Sequence, residues 1–125
     1  MFMSTKILIY MGNKNRRKGH DYERELVKDF KNLGFTNCVT SRYGSKMLDD
    51  QGIDLMYTGD FAVQAKCYSR NPNYRKVLEE MQIRATDIPI VFHKVPRGRE
   101  YCVLYKEDLL ELIEMLISNK IIKTP

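Results

Sequence analysis

Cysteine is scarce in this chain. Its 125 residues hold three, Cys38, Cys67 and Cys102. The number is odd and no CxxC pair occurs, so neither a disulfide framework nor a zinc cluster organises the fold. All three fall in apolar, strand-like stretches, where a free thiol behaves as a small hydrophobe. A reducing, cytoplasmic setting is therefore expected. Imidazole is equally sparse: His20 and His93 stand alone, without metal-ligand company. No apolar run reaches the roughly 20 residues needed to cross a bilayer, so no membrane partner is expected. The apolar patch Ile7-Leu8-Ile9-Tyr10 is too short for a signal peptide and lacks a small-residue cleavage site. It reads as an accessory strand or as an extension upstream of Met11. Repeats, low-complexity tracts and linkers are also missing, which leaves one domain large enough to bury a core without staples.

Carboxylates are absent from the first twenty residues, which carry Lys6, Lys14, Arg16, Arg17 and Lys18. The net charge is +5 and the pI near 9.1. A basic arm of this kind suits contact with a phosphate backbone. The organisation expected is an N-terminal basic arm or extension over 1–15, one domain over 16–120 and a short tail over 121–125.

The stretch from Gly52 to Tyr68 carries the chemistry. It reads as a hairpin turning at Thr58-Gly59-Asp60. Alternation along a strand then puts Asp54 opposite Gln64 and Met56 opposite Ala62. Ile53, Leu55, Tyr57, Phe61, Val63, Ala65 and Cys67 share one face, and Asp54, Gln64 and Lys66 the other. A slip of one residue would bury Gln64 and Lys66 among apolar groups. Asp54 and the Gln64 carbonyl are hard oxygen donors of the kind magnesium takes, and the Ala65 backbone carbonyl adds another. Lys66 is a compact cation suited to holding a water or steadying charge on phosphorus. Together they suggest metal-assisted phosphodiester hydrolysis.

Around that stretch, helical periodicity predicts a helix over about 19–33, ended by Gly34, with Tyr22, Leu26, Val27, Phe30 and Leu33 as its apolar stripe. Glu23 projects inside the stripe, where a carboxylate is costly unless a metal or a lysine pairs with it. Residues 37–42 read as a strand and 43–51 as a polar loop. In that region Arg42, Ser45 and Lys46 are candidate phosphate contacts, and Asp49 and Asp50 are turn residues. A second helix is expected from Tyr74 to Ala85, then a central strand over 88–95, a strand over 101–105 and a helix over 106–119. The last helix has an apolar arc wider than one core-facing stripe needs, so part of it is expected to meet a second subunit. Arg70, Arg97 and Arg99 complete the candidate backbone contacts. The order α-β-β-β-α-β-β-α suggests an α/β fold of three layers, a central mixed sheet flanked by helices.

Glu23 on the first helix, Asp54 closing a strand and Gln64-Ala65-Lys66 on the next resemble the PD-(D/E)XK nuclease superfamily. Arg17-Lys18-Gly19, Glu23-Arg24-Glu25-Leu26-Val27, Gly34-Phe35 and the run from Arg42 to Ser45 are similar to the opening of archaeal-type Holliday junction resolvases. The likeness spans roughly 16–105. It implies a restriction-endonuclease-like fold and Glu23, Asp54, Gln64 and Lys66 as catalytic residues. It also implies Mg2+ or Mn2+ as cofactor, Arg42 and Ser45 as DNA-binding loop residues, branched DNA as partner and a homodimer. Gln64 stands where the family's second acid is usual and resembles the QxK form of Mrr-like nucleases. That removes a charge from the metal site and predicts weaker magnesium binding. Cleavage of linear duplex, as in restriction or repair, and a non-catalytic DNA-binding module remain the alternatives.

Overall fold

An apolar stripe at helical spacing anchors the longest element. In the computed structural model, which describes residues 5–125, with side chains from Arg16 onward, helix α1 runs Thr5–Leu33. Tyr22, Leu26 and Phe30 recur at helical spacing and are buried, with Val27 half-buried beside them. Leu33, expected on the same stripe, is 76% exposed because the chain is already leaving the helix. Gly34, at φ +116°, supplies the left-handed residue of the stop. Its N–H donates to Lys31 O at 3.0 Å, and Phe35 N–H reaches Phe30 O at 3.0 Å. The rings of Phe30 and Phe35 then meet, centroids 5.5 Å apart, giving the apolar contact that accompanies a Schellman cap. The helix begins well before residue 19, so residues 7–10 are helical and not an accessory strand. The side chains of Lys6 and Lys14 lie outside the described residues.

The strand expected over 37–42 shrinks to β1, Val39–Thr40, and the polar loop after it becomes two short helices, α2 (Ser41–Gly44) and α3 (Lys46–Asp50). Two hydroxyls explain the change. Thr40 Oγ1 accepts Tyr43 N–H and Ser45 Oγ accepts Leu48 N–H, both at 3.3 Å, so each caps a helix start in place of a ladder bond. Arg42 thus stands on α2, not at a strand end, and Asp49 and Asp50 are helical, not turn residues.

The expected hairpin also changes. Strand β2 is Leu55–Met56 and β3 is Phe61–Cys67, joined by the anticipated turn. There Phe61 N–H meets Thr58 O at 3.3 Å and Thr58 Oγ1 donates to Phe61 O at 2.6 Å. Beyond the turn the two strands do not form a ladder. β2 pairs antiparallel with β1 instead, with Val39 opposite Met56. Asp54 N–H reaches Val63 O at 2.7 Å, one residue off the predicted opposition to Gln64. Tyr57 is the cause nearest to hand: at φ +61° it interrupts the extended run and swings its ring out to 63% exposure. Leu55, Phe61, Val63, Ala65 and Cys67 keep their common face, but Ile53 joins a different cluster.

Downstream lie α4 (Tyr74–Glu80), β4 (Ile88–Lys94), β5 (Glu100–Leu104) and α5 (Lys106–Ser118). Helix α4 stops short of Ala85 because Met81 is already extended. β4 is central, as predicted: β3 lies parallel on one side, with Lys66 opposite His93, and β5 antiparallel on the other. The protein is therefore mixed α/β, its strands divided between this three-stranded mixed sheet and the separate β1–β2 pair. Odd-numbered residues of β3 pack with Tyr22, Leu26 and Phe30 of α1. Ala62, from the opposite face, packs with Leu78 of α4 and with Met81. Helix α5 buries no residue.

Candidate active site

Asp54 ties β3 to the start of α2 through three bonds. Its N–H donates to Val63 O and its C=O accepts Ser41 N–H, both at 2.7 Å. Its carboxylate Oδ2 accepts the N–H of Ala65, also at 2.7 Å. Along a strand the N–H and C=O of one residue point to the same side. The Ala65 carbonyl is thus directed to the same strand edge as its N–H, away from β4.

Asp54 is buried to 8% exposure, and this pushes its pKa up from 3.8 to about 6. Desolvation is the main cause. The Ala65 N–H and the Lys66 ammonium offset it, while the charges of Glu23 and Asp49 add to it. The charges of Glu23 from α1, Lys66 from β3 and Asp49 from α3 are all felt at the Asp54 carboxylate. Lys66 is half-buried, makes no ion pair among the described residues and lies 5.8 Å from the centre of the Tyr68 ring.

Glu23 is buried, as its place in the stripe predicted, and the cation paired with it is an arginine, not a lysine of the sheet. Arg42 Nε donates to Glu23 Oε2 at 2.9 Å. The polar partner sought on the sheet is supplied by α2. Gln64 sits less neatly in the set. Its carbonyl oxygen is buried and has no hydrogen-bond partner. It is turned toward Gly52, where an added methyl would lie 3.6 Å from it. Among the described residues no three His, Cys, Asp or Glu side chains gather as a metal cluster.

The donor chemistry nevertheless fits a magnesium-type ion. Such ions are held by one or two carboxylates, with other oxygens and water completing the shell. Glu23 and Asp54 are two such carboxylates. Gln64 Oε1 is an unpartnered buried carbonyl, of the kind that costs free energy unless something meets it.

The candidate DNA contacts divide between two regions. Lys18 and Arg70 line one cleft of about 300 Å3, together with Cys67, Tyr68 and Pro96. Arg16 and Arg17 are exposed on the adjoining part of α1. Arg42 lines a second, larger groove of about 680 Å3 with Arg24, Lys28 and Lys31. Lys46 is exposed at the start of α3. Ser45 Oγ accepts the Leu48 N–H in capping that helix, which leaves its hydroxyl proton to donate elsewhere.

His93, which the sequence left without a role, is fully buried. Its Nε2 lies 2.9 Å from Tyr68 O, and a carbonyl only accepts, so Nε2 carries the proton. Nδ1 therefore accepts the Tyr74 hydroxyl at 2.7 Å. The pair ties α4 to the end of β3, directly beside Lys66 in the β3–β4 register. The signal available in the sequence was a lone histidine in the most apolar strand, where an imidazole needs partners.

Compared with known proteins, the chain matches no family model, no curated protein and no solved structure.

Proposed function

We propose that this protein is a metal-dependent DNA endonuclease of the three-layer PD-(D/E)XK type, most similar in its motifs to archaeal Holliday junction resolvases. The observation that carries the reading is the position of Asp54: a buried carboxylate pinned to the β3 edge by Ala65 N–H, under the charges of Glu23 and Lys66. In this reading Glu23, Asp54, Gln64 and the Ala65 carbonyl hold Mg2+ or Mn2+. The bound ion supplies Lewis-acid neutralisation of the scissile phosphate and acidifies a water. Asp54 presents a fixed anionic oxygen, and burial keeps bulk water from screening it. Lys66 donates to the attacking water or to the phosphate oxygen on which charge grows. Lys18, Arg70 and the exposed cations of α1 hold the backbone without reading sequence.

The partner proposed is branched DNA, bound by a cytoplasmic homodimer whose two sites address two strands. The outer face of α5 supports the dimer, since Leu109, Leu110 and Met115 are each about half exposed. The test of substrate is direct. With magnesium, the protein is expected to cut a four-way junction in preference to its matched linear duplex; equal cutting of both removes the resolvase reading and leaves the duplex nuclease.

A second reading, a non-catalytic DNA-binding module, is favoured by one observation: an arginine occupies Glu23. It predicts DNA binding with no cleavage in any divalent metal.

A further inference from the structure

Arg42 belongs to two places at once. Its Nε holds Glu23 Oε2 at 2.9 Å, and its side chain, 31% exposed, also lines the groove between α1 and α2. Arg24, Lys28 and Lys31 line that groove too, Arg24 while paired with Asp21, and no carboxylate lines it. Tyr43, on the same lip, is 86% exposed. A groove of about 680 Å3 lined by apolar side chains (Val27, Cys38, Val39) and by cations, with no acidic lining and an exposed aromatic ring on its lip, can seat a nucleic-acid backbone against its cations.

The two roles compete. A guanidinium at Glu23 repels a divalent cation seeking the same carboxylate, and at short range in a part-buried site that repulsion is weakly screened. A phosphate in the groove offers the guanidinium an alternative partner of matching bidentate geometry. On the nuclease reading above, we infer that Arg42 is an exchangeable counter-ion. In the free protein it masks Glu23, and a DNA phosphate seated between α1 and α2 draws it off, freeing Glu23 for the metal. DNA and the divalent ion then bind cooperatively, each tightening the other by the same factor. The metal site is completed only where substrate lies, which limits metal capture by the free protein.

The test titrates Mn2+ into the full chain, reading bound ion by electron paramagnetic resonance. It is done with and without a phosphorothioate-linked duplex, for the wild type and for Arg42→Gln. DNA is expected to tighten Mn2+ binding to the wild type about 5- to 150-fold, the usual range for coupled sites. Without DNA, Arg42→Gln is expected to bind Mn2+ more tightly than the wild type by a similar factor, and to lose most of the gain from DNA. An Arg42→Gln protein with normal circular dichroism and unchanged Mn2+ affinity overturns the exchange, while magnesium-dependent cutting by the wild type would leave the nuclease reading standing. Absence of Mn2+ binding under every condition overturns both.

If Arg42→Gln does not fold, the double variant Lys28→Gln/Lys31→Gln decides. It is expected to keep the DNA-free Mn2+ affinity and to lose at least about threefold of the DNA-induced gain, since each phosphate contact removed weakens DNA binding. An undiminished gain overturns the proposal.

Discussion

The carboxylate of Asp54 accepts the backbone N–H of Ala65 at 2.7 Å, on the edge of β3 that a paired hairpin would have filled with main chain. A side chain, not a main-chain group, closes the strand edge at Ala65. Burial alone would favour protonation of such a carboxylate. The N–H at Oδ2 and the ammonium of Lys66 pull the other way.

That balance predicts a pH effect on stability. The folded pKa of Asp54 lies near 6, above its ordinary 3.8. For a carboxyl group raised on folding, the favourable contribution is complete below the unfolded value and lost as pH rises through the folded one. The loss is roughly 3 kcal/mol at full ionisation. Asp54→Asn keeps the acceptor for Ala65 N–H but cannot ionise. In metal-free buffer, urea unfolding should show Asp54→Asn gaining on the wild type by roughly 2 kcal/mol between pH 4 and pH 8. A gap independent of pH would mean that Asp54 ionises without penalty.

The unpartnered carbonyl of Gln64 gives a second expectation. Gln64→Glu places a charge at that buried position. The metal-free variant should be less stable by about 1–3 kcal/mol, from an uncompensated buried charge. Magnesium should restore it, raising the melting temperature of the variant more than that of the wild type. It should also lower the magnesium concentration needed for half-maximal activity. Equal metal responses in the two proteins would show that residue 64 does not reach the ion.

The bridge from Tyr74 to His93 to Tyr68 is a structural hinge-pin beside Lys66. Tyr74→Phe leaves Nδ1 of a fully buried imidazole without a donor, at an expected cost of about 1–3 kcal/mol in chemical denaturation. His93→Leu strands both partners and should cost more. A Tyr74→Phe protein as stable as the wild type would indicate that the imidazole finds another donor.

Much of this was legible in the sequence because alternation and helical spacing report burial. Tyr22, Leu26 and Phe30 on α1, the apolar face of Phe61, Val63, Ala65 and Cys67, and the central place of β4 all follow from periodicity. The misread regions are those where a single polar side chain replaced a main-chain bond. Thr40 and Ser45 capped helices where a strand and loop were expected, and Asp54 took the N–H that a ladder would have used. The Glu23–Arg42 pair spans nineteen residues between unlike elements, and no local spacing rule reaches across such a gap.

Helix α5 carries the dimer expectation. Leu110 is 53% exposed on a helix with no buried residue. If this face joins two copies, Leu110→Glu places a charge in an apolar interface and should convert a dimer to a monomer in sedimentation equilibrium, with the fold intact by circular dichroism. An unchanged mass would place any self-association elsewhere.

The central claim is that Lys66, set beside Asp54, serves hydrolysis. The measurement is cleavage of a labelled four-way junction by the wild type and by Lys66→Ala, with magnesium or with chelator, alongside binding to the same DNA. The account predicts magnesium-dependent cutting by the wild type, cutting reduced at least about 100-fold in Lys66→Ala, as for loss of one transition-state contact, and nearly unchanged binding. Cutting that survives Lys66→Ala, or a wild type that binds the junction and never cuts it, contradicts it.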